Sequence, residues 1–103
     1  MAQTPEAKVK RKVTDQLKVL GAFYFYPVTG GYGSSGIPDI VGCYRGAFFA
    51  IECKAGKNKP TELQMHMMDK IRAAAGNVMV VNEDNLGDVP GWITSLPLPM
   101  ANK

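Results

Sequence analysis

Three residues in this sequence have the types and spacing to do chemistry together: Asp39 in "GIPDIVG", and Glu52 and Lys54 in "AFFAIECKAG". Between the two apolar segments lies Arg45-Gly46, which reads as the turn of a β-hairpin. A hairpin folded about that turn, or about the four residues Tyr44 to Ala47, places Asp39 directly opposite Glu52. Side chains so opposed have Cβ atoms roughly 5 Å apart, and like charges there destabilise a sheet. A hard divalent cation removes the repulsion, because Mg²⁺ takes oxygen ligands and is commonly held by one or two carboxylates plus phosphate. Lys54 falls two residues after Glu52, hence on the same face of the strand. Two carboxylates and an ammonium on one patch meet the needs of phosphodiester hydrolysis. The metal polarises the phosphate and acidifies water, and the lysine orients that water and stabilises charge developing on phosphorus.

Each half of this set has a plainer explanation. A carboxylate after proline is frequent in turns, and Glu-x-Lys is a frequent pair on exposed edge strands. The neighbours Ile40, Val41, Phe48, Phe49, Ala50 and Ile51 are apolar on both faces, however, which describes interior strands. Charges set in such strands are costly and point to function.

The elements that must position these residues can be read in turn. Thr4 as N-cap, Pro5 at the first helical position and Glu6 in the first turn open a helix. Val9, Val13, Leu17 and Leu20 recur at helical spacing and Gly21 closes it. "AFYFYPV", Ala22 to Val28, predicts a strand, and Gly30 to Gly36 a loop. Asp39 to Tyr44 and Ala47 to Lys54 form the hairpin. Thr61 and Gln64 make a capping box ahead of a helix that carries Leu63, Met67, Met68 and Ile71 and runs to Gly76. "NVMVVN" predicts a short buried strand, and Val89 to Leu96 a last helical turn or two. The order α-β-β-β-α-β-α predicts an α/β fold, a mixed central sheet flanked by helices.

A chain of 103 residues, 46% hydrophobic and 20% charged, suits one domain spanning 1–103. Cys43 and Cys53 fall on opposite strand faces and lack zinc-motif spacing, so a reduced, cytoplasmic setting fits. No apolar run reaches membrane length, and the start lacks the apolar core of a signal peptide. Much of the net charge of +3 sits in "KVKRK", Lys8 to Lys12; such a run usually marks a solvated helix face, and it also suits a polyanionic partner such as nucleic acid. Gly31, Gly33 and Gly36 are spaced as G-x-G-x-x-G. Pro38 and a strand follow where a dinucleotide site needs a helix N-terminus, which argues against a nucleotide cofactor.

Taken in order, "GIPDIVG", "FFAIECKAG" and "TELQ" resemble the PD-(D/E)xK nuclease superfamily. Within it they resemble the VRR-Nuc group of virus-type replication and repair nucleases, in its stand-alone phage or bacterial form. The likeness runs from Glu6 to about Val81. It implies a restriction-endonuclease-like core and a Mg²⁺- or Mn²⁺-dependent DNA endonuclease, selective for replication or recombination intermediates such as four-way (Holliday) junctions. It further implies metal binding by Asp39, Glu52 and the backbone carbonyl of Cys53, catalysis by Lys54, and contributions from Glu6, a possible further ligand, and Gln64. Glu6 is explained equally by the helix dipole, and Gln64 by the capping box. The Cys53 thiol should face the opposite, apolar layer. His66 reads as a surface histidine, and Tyr24 and Tyr26 as packing residues. Candidate DNA contacts are Lys8, Lys10, Arg11, Lys12, Tyr32, Ser34, Ser35, Lys57 and Lys59.

A symmetric homodimer suits a two-fold junction; Trp92, Ile93, Leu96 and Leu98 either form its interface or cover the sheet. A membrane partner is not expected, and a viral source would place the protein in the host cytoplasm. A non-catalytic DNA-binding domain is the alternative from another class. It would need no metal and would bind DNA with a steep salt dependence. The intact set Asp39, Glu52 and Lys54 argues against it.

Overall fold

A computed structural model describes residues 3–28 and 36–99. Helix α1, Pro5–Leu20, opens where Thr4 Oγ1 accepts from the Ala7 N–H at 3.1 Å, and closes at Gly21 with φ 78°. Four strands follow in the spatial order β1-β2-β3-β4. These are β1 (Phe23–Phe25), β2 (Ile40–Tyr44), β3 (Ala47–Cys53) and β4 (Asn77–Val81). The first three are antiparallel, and β4 runs parallel to β3. Arg45 and Gly46 turn the β2–β3 hairpin at φ 52° and 87°, the positive values a primed two-residue turn demands. Its ladder pairs Tyr44 with Ala47 and Ile40 with Ile51. Continued by one residue, the register sets Asp39 against Glu52, as the sequence predicts.

Alternation along β3 then divides the molecule into layers. Phe49, Ile51 and Cys53 face α1 and the last helix α3, Val89–Thr94, in a core with Val9, Val13, Leu17, Ile40, Val81, Val89 and Ile93. Ala50, Glu52 and Lys54 point to the other side, which carries helix α2, Glu62–Ala73. That helix makes the crossover a parallel β3–β4 pair requires. β2 and β3 are interior strands, so the hairpin holding the charged set is flanked by β1 on one edge and β4 on the other.

The structure departs from the sequence expectations in three places. β1 stops at Phe25 instead of running to Val28, because the following Pro27 has no N–H for a ladder. α2 ends at Ala73, and the left-handed residue after it is Ala75, φ 68°, not Gly76. Gly76 is reserved for close packing: a Cβ there would lie 2.6 Å from Ile71 Cγ2 and 2.9 Å from Phe48 Cδ1. A 3-10 turn, Leu86–Asp88, precedes α3. It is entered through an asparagine pair in which Asn82 Oδ1 accepts from the Asp84 N–H at 2.9 Å and Asn85 Oδ1 from the Asn82 N–H at 2.8 Å. Ile93 lies in the core and Trp92 and Leu96 pack against it, so they cover the sheet; Leu98 stays 67% exposed. No described helix is long and apolar enough to cross a membrane.

Left-handed backbone costs an L-residue about 1 kcal/mol relative to glycine. Ala75→Gly should therefore raise the unfolding free energy in urea by about that amount. Gly76→Ala should lower it by roughly 1–3 kcal/mol through overpacking against Ile71 and Phe48.

Candidate active site

Asp39 ends the hairpin. Its Oδ2 accepts a hydrogen bond from the Cys53 N–H at 2.9 Å, so a side chain does the work of the next ladder bond. The bond uses one carboxylate oxygen and fixes the group beside Glu52. Glu52 is 2% exposed. Its Oε2 accepts from Gln64 Nε2 at 3.1 Å and lies 3.5 Å from Lys54 Nζ. Its Oε1 is sealed from solvent with no hydrogen-bond partner. An orphaned buried carboxylate oxygen is expensive and calls for an occupant.

Gln64 is both a capping residue and a contact of the charged cluster. Its Oε1 accepts from the Thr61 N–H at 2.9 Å, and its own N–H donates to Thr61 Oγ1 at 3.2 Å. With the carbonyl end of the amide engaged, only the NH₂ end is left for Glu52. Gly36 sets the distance between this helix start and Asp39. It has φ 75°, and a Cβ on it would fall 2.5 Å from the Leu63 carbonyl oxygen. The third glycine of the G-x-G-x-x-G spacing thus serves a close backbone approach and no dinucleotide.

Burial, and next the charge of Asp39, push Glu52 up from 4.5 to about 7; Lys54 opposes this, and Glu6 adds a smaller upward push. Burial and then the Asp39 and Glu52 charges push the Cys53 thiol up to about 12, which keeps it protonated within the α1-side core. Half-buried Glu6 thus acts on both groups through its charge from the α1 side. Among the described residues no group of three or more His, Cys, Asp or Glu side chains is gathered to hold a metal. Side-chain ligation would fall to Asp39 and Glu52, and the remaining positions to a backbone carbonyl such as that of Cys53, water and phosphate. Magnesium-type ions are commonly held by so few protein oxygens, and Glu52 Oε1 is a donor without a partner. The residues fit such an ion.

The remaining candidates are spread around this centre. Lys8, Arg11, Lys12, Lys57 and Lys59 are exposed, as is His66 on α2. Lys8 and Lys12 line a cleft of about 310 Å³ with Pro5, Val9, Glu83 and Leu86. Lys10 is half-buried, its Nζ 4.5 Å from the centre of the Tyr26 ring. Tyr32, Ser34 and Ser35 lie outside the described residues. Glu83 was not singled out by the sequence. It accepts from the Gly56 N–H at 2.9 Å, which anchors the loop after Lys54 and holds the Glu83 carboxyl below its ordinary range. Only the parallel β3–β4 pairing brings the two together, and no local motif encodes that.

Comparison with known proteins agrees with this architecture. A solved structure described as a VRR_NUC domain superposes with a TM-score of 0.73 at 23% identity, covering 92% of this chain and 100% of that one. No family model matches the sequence, and no curated protein does. At that identity the likeness is one of fold. The chain has the α/β fold of a VRR-Nuc nuclease domain, the architecture its motifs resemble.

Because the folded state raises Glu52 from 4.5 to about 7, it binds that proton more tightly than the unfolded chain. The associated stability is fully present below pH 4.5 and is lost as pH rises to about 7. In metal-free buffer the unfolding free energy should fall across this window by at most about 3 kcal/mol. Glu52→Gln should flatten the profile, and equal slopes in both proteins would assign the effect to another group.

Proposed function

We propose that this chain is a VRR-Nuc family member and a Mg²⁺- or Mn²⁺-dependent DNA endonuclease, acting in the cytoplasm on branched replication or recombination intermediates such as four-way junctions. The observation that carries this is the opposition of Asp39 to a buried Glu52 whose Oε1 has no partner, with Lys54 Nζ 3.5 Å from the other oxygen. Asp39 and Glu52 would hold the ion, with the Cys53 carbonyl as a further ligand. When bound, the ion polarises the scissile phosphate and lowers the pKa of a coordinated water. The chain's own residues do the rest. Gln64 fixes the Glu52 carboxylate, and Lys54 orients the attacking water and stabilises the extra negative charge on phosphorus.

A two-fold homodimer would present two such centres to a junction. Phe23, Cys43 and Phe48 are ladder partners across β1, β2 and β3, and Phe23 and Phe48 are 64% and 42% exposed. With Phe25, 49% exposed, they give one sheet face an apolar row, self-complementary as an isologous contact must be. Phe23→Glu should halve the mass measured by light scattering; an unchanged mass would remove this row from any interface.

Cleavage of labelled four-way junction, flap, single-stranded and duplex DNA with Mg²⁺, Mn²⁺ or EDTA tests the activity. Lys54→Ala should slow cleavage by about 10²–10³-fold, Asp39→Ala should abolish metal-dependent cleavage, and EDTA should stop the wild type. Cleavage indifferent to both substitutions would overturn the site. Metal-independent binding without cleavage would favour the accessory DNA-binding domain.

A further inference from the structure

Lys54 approaches the charged centre from the α2 side of the sheet. A second cation stands on the α1 side. Lys10 follows Glu6 by four residues, one helical turn, so both look out over the same edge of the sheet. The β1 ladder ends at the pair Phe25–Val41, and Tyr26 is the next residue along the chain. The Tyr26 ring is itself braced edge-on against Tyr24, with centroids 6.1 Å apart and planes at 68°, and Tyr24 packs against the core. Lys10 Nζ rests 4.5 Å from the centre of that ring.

The ion pairs among the described residues are Lys54–Glu52 and Arg72–Asp69, so Lys10 has no carboxylate partner. A ring face attracts an ammonium but accepts none of its strong hydrogen bonds. A half-buried cation held at a fixed place, with its N–H donors open, on the side of the sheet opposite Lys54, has one evident use: it draws in the substrate's backbone.

We infer that Lys10, seated on Tyr26, is a phosphate-binding subsite that grips the nucleic-acid strand next to the cleaved phosphate on the α1 side of the site. This rests on the nuclease function proposed above. The competing role is a pin, since a cation–π contact joining α1 to β1 would by itself contribute about 0.5–1 kcal/mol of stability. A phosphate contact reads no base and releases about one counterion, so it has its own mark in the salt dependence of binding.

The test is anisotropy with labelled junctions of two unrelated sequences in EDTA, titrated at several salt concentrations. Lys10→Ala should raise Kd roughly five-fold at 0.15 M salt and reduce the log–log salt slope by about one, equally for both sequences. Lys10→Arg should restore both. Tyr26→Leu should shift them the same way, and Lys10→Ala should add little in that background. Lys18→Ala, in the last turn of α1, should behave as wild type. If Lys10→Ala keeps the wild-type slope and only lowers the melting temperature, the residue is a pin and the subsite is overturned while cleavage stands. If the wild type neither binds nor cuts DNA, the nuclease function fails and the subsite with it.

Discussion

Two carboxylates at the end of an interior hairpin are an electrostatic burden, and much of this chain is arranged around carrying it. A buried Glu52 beside Asp39 would push the hairpin ends apart. The Asp39–Cys53 bond holds them together, Gln64 and Lys54 share one oxygen of Glu52, and Gly36 lets the chain before Asp39 press against the start of α2. Each restraint comes from a different segment, so the centre forms only when the hairpin, the crossover helix and the end of the glycine loop are all in place. What stays unbalanced is one oxygen of Glu52, which marks where the fold stops serving itself.

The sheet divides labour between its faces. The side with Phe49, Ile51 and Cys53 is a continuous apolar core under α1 and α3. The side with Ala50, Glu52 and Lys54 is only partly roofed by α2. Cys53 shows how sharp the division is: one residue along the strand from Glu52, its thiol is inert through burial.

Much of this was legible in the sequence because the signals were local. The hairpin register followed from one turn and a period of two, and α1 and the start of α2 from caps that occur as written. What escaped was set by tertiary contact. The end of α2 moved because Gly76 is needed against Phe48 and Ile71, a demand no helix-stop rule contains. The Glu83–Gly56 tie depends on parallel pairing between strands whose paired ends, Cys53 and Val81, are separated by 27 residues, rather than on any short motif. Tyr26 read as a packing aromatic because its partner lies on another element.

Position 64 sits where two independent filters meet. A capping box accepts glutamate as readily as glutamine, and helix formation alone could not choose between them. Here the far end of the side chain meets Glu52 Oε2, where glutamate would add a third carboxylate to a place that already strains to hold two. Only the amide passes both filters, because one end accepts from the cap while the other donates to the acid. The information at this residue is therefore the intersection of a rule about helices and a rule about charge, and neither would be recovered from the other.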